Sequence, residues 1–302
     1  MSQDFYSNGK LLLSGEYAIL DGAEGWAIPT KFGQSLKVVS DTSGELTWKS
    51  MDADGSIWFE GSYRVQNFEE LFATDAELSL SLIDILVQTR KLNPKFLELS
   101  EGCEVETKLT FPRNWGLGTS STLINNMAQW AKVDPYHLLS KTFGGSGYDI
   151  ACAQHDHPII FKIENNDPII RPAKVALPFS DQLYFVYLNQ KKNSREAISA
   201  YRERTIDKVA LTNTITDLTS ALVKASTLSE FESLLDLHEK TLSHALNVPT
   251  IKEQLFPDYT GSIKSLGGWG GDFIVVTGRE NTLDYFKQKG YQTIVPFSEM
   301  IV

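Results

Sequence analysis

The sequence predicts a mixed α+β protein with room for two domains, and three observations predict it. The chain has 302 residues, enough for one large domain or two of ordinary size. Apolar residues make up 42% and charged residues 22%, the balance of a packed globular core. Strand-like and helix-like apolar patterns both occur along its length, with no internal repeat and no low-complexity segment. The formal net charge of −10 argues against a nucleic-acid binder, although a few local lysines can still serve an anionic small molecule. Only two cysteines occur, Cys103 and Cys152, so no disulfide framework is indicated and a reducing cytoplasm fits. The first stretch has an early acidic residue and no basic segment before its apolar run, so it reads as a strand rather than a secretory signal. No apolar run approaches the ~20 residues that span a bilayer.

In chain order, residues 5–20 read as a strand, a tight turn and a second ordered segment. Residues 26–63 hold short runs of Val, Ile, Trp, Phe and Tyr, broken at Gly44, Asp52, Asp54 and Gly55. They predict meandering antiparallel strands. Residues 76–92 predict a helix with a wide apolar face, and Pro94 stands just past its end. Residues 102–111 alternate as a half-buried strand. They lead into residues 111–131, FPRNWGLGTSSTLINNMAQWA, around which the chain is organised. There Gly116 and Gly118 permit a tight backbone turn and close approach to a ligand. Thr119, Ser120 and Ser121 open a helix with Leu123, Met127 and Trp130 at helical spacing. Unpaired N–H groups and the positive end of the helix dipole suit such a start to an anion, most often phosphate. A Ser/Thr-rich helix start after an ordinary turn gives the same local pattern.

Asp134-Pro135 predicts the N-cap and first position of another helix, ending near Gly144-Gly145. GGSGYDIACAQ again runs glycines into a helix start. HPIIFKI and DQLYFVYLNQ read as strands, and residues 195–246 as mostly helical, with Phe231, Leu235, His238, Leu242 and Ala245 on one face. SIKSLGGWGGDFIVVTG reads as strand, glycine loop, strand, followed by a helix (NTLDYFKQK) and a strand (YQTIVPF). The change of pattern places a boundary near residue 160. His155-Asp156-His157 precedes Pro158 and reads as a turn rather than a zinc site, and His238 and His244 as packing or surface residues. Cys152 reads as a small buried apolar residue.

Four glycine-bearing stretches recur far apart: NGK with SGE at residues 8–16, GLGTSS, GSGYD and GGWGGD. In this order, from Gly9 to about Gly278, they resemble the GHMP kinase superfamily, closest to its mevalonate kinase and phosphomevalonate kinase branch. The resemblance implies a two-domain α+β fold. Residues 1–160 would form an ATP-binding domain like ribosomal protein S5, with a left-handed βαβ crossover. Residues 161–302 would form a ferredoxin-like domain, and ATP and acceptor would meet in the cleft between the halves. It implies an ATP- and Mg²⁺-dependent kinase in the cytoplasm that acts on a small acidic metabolite, mevalonate or phosphomevalonate first, homoserine or a sugar next. A membrane or nucleic-acid partner is not expected, and a homodimer is compatible with the sequence.

The resemblance also implies roles. Gly116, Leu117, Gly118, Thr119, Ser120 and Ser121 would cradle the triphosphate with backbone N–H groups. Ser120, with Ser121 as fallback, would supply the Mg²⁺-side hydroxyl. Asp149 would accept the proton of an acceptor hydroxyl. Lys10 would lower the pKa of Asp149 and align the attacking oxygen. Glu16 would hold Lys10 or the substrate. Gly267, Gly268, Gly270 and Gly271 would line the substrate cleft, and Lys191 and Ser194 would meet an acidic acceptor. Without the family, Lys10 also reads as a surface lysine at a strand edge and Asp149 as an ordinary acid at a helix start. Two positions depart from the family pattern. Trp269 interrupts the third glycine motif, and His137-Leu138-Leu139-Ser140 holds no carboxylate where mevalonate kinases carry a second Mg²⁺ ligand. They motivate a second reading, a catalytically silent member that binds nucleotide or metabolite.

Overall fold

The computed structural model describes residues 2–98, 102–174, 176–190, 194–268, 271–278 and 281–302. The chain forms two compact units that interleave in sequence. Unit 1 is Met1–Gly9, Phe32–Arg113 and Leu117–Gln154; unit 2 is Lys10–Lys31, Asn114–Gly116 and His155–Val302. The expected boundary at residue 160 falls within unit 2, and two earlier segments also belong to that unit.

Strands β1 (Ser2–Ser14) and β2 (Gly25–Ser40) pair with each other and contribute to both units. Unit 1 continues with β3 (Glu45–Met51), β4 (Ile57–Arg64), β5 (Glu70–Ala73), α1 (Ala76–Leu92) and β6 (Cys103–Leu109). It ends with α2 (Thr119–Ala131), α3 (Pro135–Lys141) and α4 (Tyr148–Gln154). Its strand order is β5-β4-β3-β6-β2. The uninterrupted meander expected for residues 26–63 is therefore corrected. β3 and β4 pair antiparallel, but β6 inserts between β3 and β2, parallel to β3 and antiparallel to β2. The alternation of β6 explains why it fits there. Cys103, Val105, Thr107 and Leu109 are buried, while Glu104, Glu106 and Lys108 are exposed. Helices cover the inner face. Ile124, Met127, Ala128 and Ala131 of α2 join Leu82, Ile85 and Leu86 of α1 and Leu138 and Leu139 of α3 in one core.

Local signals set the helix starts, the one at Asp134-Pro135 as the sequence predicts. Asp75 accepts from Glu77 and Leu78 N–H to start α1, and Asp134 accepts from His137 N–H with Pro135 at the first position of α3. Cys103 and Cys152 are buried free thiols, and burial with the Asp41 charge pushes the Cys103 thiol up to about 12.

Unit 2 adds β7 (Ile159–Glu164) and β8 (Asp167–Pro172), which extend β2 in the order β2-β7-β8. Next come β9 (Leu183–Tyr187), α5 (Ser194–Arg202), α6 (Lys208–Lys224), α7 (Leu228–Leu246) and α8 (Ile251–Leu255). The chain closes with β10 (Ile263–Ser265), β11 (Phe273–Thr277), α9 (Thr282–Gln288), β12 (Ile294–Pro296) and α10 (Phe297–Met300). A second sheet runs β10-β11-β9-β12, every pair antiparallel. In chain order this is strand, helices, strand, strand, helix, strand, with the last strand beside the first, which is the ferredoxin-like arrangement. Among the described residues no helix is long and apolar enough to cross a membrane.

The buried face of α2 holds unit 1 together, so it should tolerate truncation badly. Ile124 is fully buried. Ile124→Ala is expected to cost ~2–5 kcal/mol of unfolding free energy, read as a lower urea midpoint at unchanged slope.

Candidate functional site

In unit 1 the expected phosphate loop is a helix start with no side-chain cap. Gly118 is the N-cap of α2 in left-handed backbone, φ 96°. Glycine takes that conformation without strain and brings no side chain to bond the first-turn amides. The three hydroxyls that follow separate cleanly. Thr119 is half-buried and Ser120 exposed, whereas Ser121 is buried and donates to Gly118 O at 2.9 Å. Of the two hydroxyls considered for Mg²⁺, only Ser120 faces outward. Behind the helix start, a buried polar network fixes α2. Thr122 Oγ1 lies 2.8 Å from Gln34 Oε1, and Asn126 donates to Gln34 O at 2.9 Å. Ser7 donates to Asn126 Oδ1 at 2.7 Å, and Asn125 donates to Ser7 Oγ at 2.8 Å.

Helix α4 packs against α2 within the same unit. Three left-handed glycines, Gly144, Gly145 and Gly147, lead into it. Side chains added at Gly144 or Gly145 would meet open space, so those two serve backbone conformation and not packing. Asp149 lies in the first turn of α4, half-buried, with Oδ1 3.1 Å from Ile150 N. Burial first, then the charges at Cys152, Asp134 and Asp149, raise the Tyr136 phenol.

In unit 2, Lys10 Nζ donates to Gly116 O at 3.0 Å. Gly116 is left-handed, φ 69°, and a Cβ there would overlap the Asp272 carboxylate. Asp272 is itself left-handed, φ 52°, and buried. Its N–H donates to Gln190 O and its O accepts from Leu188 N–H, both at 2.8 Å. Gly267 stands by the same carboxylate; its Cβ would lie 3.8 Å from Asp272 Oδ2. Trp115 packs against Tyr187 and Phe273, and Tyr187 donates to Asn114 O at 3.0 Å. Burial and the Asp272 charge raise the Tyr187 phenol. The sequence reading gave Asp272 no role, and its partner glycine lies far off in the chain. Gly268 and Gly271 are buried. Ser194 opens α5, while Lys191, Trp269 and Gly270 lie outside the described residues.

Glu16, expected to hold Lys10 or the substrate, is buried and accepts from Lys264 Nζ at 2.5 Å. His238 and Glu239 of α7 complete a buried group that sequence reasoning did not find. No local pattern marks it: Glu239 stands between His238 and Lys240, and Lys264 between Ile263 and Ser265.

The described residues contain no group of three or more His, Cys, Asp or Glu that could hold a metal ion. The outward hydroxyl of Ser120 is an oxygen donor, the kind of hard ligand that Mg²⁺ takes.

Comparison with solved structures shows the fold. The chain is similar to Methanococcus jannaschii mevalonate kinase at 14% identity, covering 96% of this chain and 94% of that one, TM-score 0.67. It is similar to Lactococcus lactis galactokinase complexed with galactose at 13% identity, covering 100% and 93%, TM-score 0.68. It is similar to Streptococcus pneumoniae phosphomevalonate kinase, in complex with phosphomevalonate and AMPPNP, at 14% identity, covering 95% of each chain, TM-score 0.65. The chain therefore has the GHMP kinase fold over nearly its whole length. No protein-family model and no curated protein matches the sequence.

The Gly116 contact gives a test. Gly116→Ala should destabilise by at least the ~1–2 kcal/mol of a left-handed non-glycine residue, with the Asp272 overlap added. Gly116→Ala with Asp272→Gly should recover the overlap but not the backbone cost. Thermal unfolding of both variants reads the difference.

Proposed function

We propose that this protein is an ATP- and Mg²⁺-dependent small-molecule kinase. It transfers the γ-phosphate of ATP to a hydroxyl or phosphate of a small acidic metabolite, with mevalonate and phosphomevalonate as the leading acceptors. One observation carries the reading. Within unit 1, the uncapped start of α2 presents Ser120 outward, and α2 packs against α4, whose first turn bears Asp149. Phosphoryl transfer needs placement, charge neutralisation and a home for the acceptor proton more than it needs covalent chemistry. The first-turn amides of α2 and the helix dipole bind phosphate oxygens. Ser120 Oγ supplies the protein ligand for Mg²⁺, which when bound neutralises charge on the phosphates. Asp149 accepts the proton of an acceptor hydroxyl. Where the acceptor is already a phosphate anion, that proton is absent and a base is less necessary. The sequence resemblance adds Lys10 as a cation for the transferring group and Gly267, Gly268 and Gly271 as backbone for the acceptor. A cytoplasmic location belongs to the same proposal, and two buried free thiols suit it.

Side-by-side turnover with mevalonate, phosphomevalonate, homoserine and galactose tests the reading. Asp149→Asn is expected to retain ATP binding by calorimetry while a hydroxyl acceptor turns over ~10²–10⁴-fold more slowly. ATP binding with no acceptor phosphorylated by the wild type would replace the kinase with a nucleotide-binding, catalytically silent protein.

A further inference from the structure

Four polar side chains meet in the interior of unit 2. Lys264 of β10 and His238 of α7 are 0% exposed, Glu239 of α7 is 2% exposed, and Glu16 in the turn after β1 is 3% exposed. Lys264 Nζ donates to Glu16 Oε1 at 2.5 Å and to Ser265 O at 2.8 Å, and stands 3.6 Å from Glu239 Oε1. Ser265 Oγ donates to Glu239 Oε2 at 3.2 Å. Gly15 N–H donates to His238 Nε2 at 3.3 Å. That bond needs a lone pair on Nε2, so the ring is the neutral tautomer with its proton on Nδ1. Glu16 Oε2 lies 3.7 Å from His238 Nε2, and both Glu16 Oε2 and Glu239 Oε1 lack a hydrogen-bond partner.

The charge count does not close with both carboxyls ionised. One ammonium faces two carboxylates, the imidazole is neutral, and a net negative charge would be left in a site without water contact. The charged groups near the pair are Lys264 from β10, Glu16 from the turn and, on α7 itself, Glu232, seven residues before Glu239, whose Oε1 accepts from Thr277 Oγ1 at 2.7 Å. The buried side of α6, which also packs on α7, is Leu211, Ile215, Leu218, Thr219 and Leu222, with no titratable group. We propose that the buried pair Glu16 and Glu239 holds a single proton beside Lys264, and that this proton locks the Gly15–Glu16 turn to the strand that feeds the Gly267 loop. Glu16, in contact with the ammonium, is the ionised partner; Glu239 keeps the proton. Lys264 and Glu239 are positioning residues, because Ser265 is bonded through both of them immediately before Leu266 and Gly267. Both carboxyls are shifted upward, as one proton held within the pair requires. Burial pushes Glu239 up to about 7 against the pull of Lys264, with the Glu16 charge adding to the rise. Burial also raises Glu16, and burial with the Lys264 charge holds His238 well below its ordinary value.

The lock then releases one proton when it opens. A carboxyl raised in the folded state stabilises fully below its unfolded value, 4.5, and that contribution is lost as pH rises through about 7. Between those limits the opening equilibrium rises about tenfold per pH unit. Hydrogen exchange of the full chain tests this, corrected for intrinsic rates, on peptides covering residues 11–19 and 263–268. Wild type should show opening that steepens by about one proton across the window, and Glu239→Gln, which keeps the side-chain shape, should show none. Should that variant not fold, NMR titration of wild-type protein labelled at glutamate carboxyl carbons decides alone, with one buried resonance expected to titrate near neutrality. Equal slopes in wild type and Glu239→Gln, or no glutamate carboxyl titrating above about pH 6, would overturn the proposal. Neither readout depends on turnover, so a failed lock and a failed kinase reading remain distinguishable.

Discussion

A glycine at the N-cap of α2 is the constraint from which the candidate site follows. A serine, threonine or aspartate there would close the helix start with its own side-chain oxygen. Gly118 cannot, and its left-handed backbone turns the chain away before Thr119. The helix therefore keeps its donors for something else. A start left open in this way is useful only if the helix behind it stays still. Asn125, Asn126 and Thr122 meet that need by bonding to Ser7 and Gln34 of the neighbouring strands. Buried amide pairs of this kind have few alternative partners, so they fix register where apolar contacts alone would permit sliding.

Unit 2 solves a different problem with charge. Its glycine-bearing segments lack side chains to pack, so neighbouring groups must hold them. Asp272 packs on the Gly116 backbone, Lys10 bonds the Gly116 carbonyl, and Lys264 ties down the Ser265 carbonyl. The interior ion pair at Glu16 is costly to desolvate, and its gain lies in defining one arrangement of a turn that apolar packing would leave loose.

The elements were legible wherever a local rule determines them. Asp134-Pro135 and the hydroxyl run at Thr119 mark helix starts that the structure reproduces, and the alternation of β6 identified its buried face. The short pieces β8, α8 and α10 carry too little pattern to be read. Strand order was beyond local reading, because the insertion of β6 beside β3 depends on partners 57 residues away, such as Leu46 and Cys103. The glycine stretches identified the fold, yet the surroundings of their side chains stayed hidden. Ser120 and Ser121 look alike in sequence and differ only in which way the helix turns them. Glu16 and Lys264 are separated by 248 positions, and no spacing rule links them.

The interleaving of the two units has a consequence for synthesis. Unit 1 has all its residues once position 154 has left the ribosome, but Lys10–Lys31 must wait for His155–Val302. Leu11, Leu12, Leu13, Trp26 and Ile28, all buried in the finished protein, are therefore without their later-made neighbours while half the chain is translated. An apolar segment waiting beside a folded neighbour is an early target for holding chaperones and for aggregation. Slower elongation through the second half would lengthen that exposure, so the yield of this protein in cells is tied to translation speed as well as to final stability.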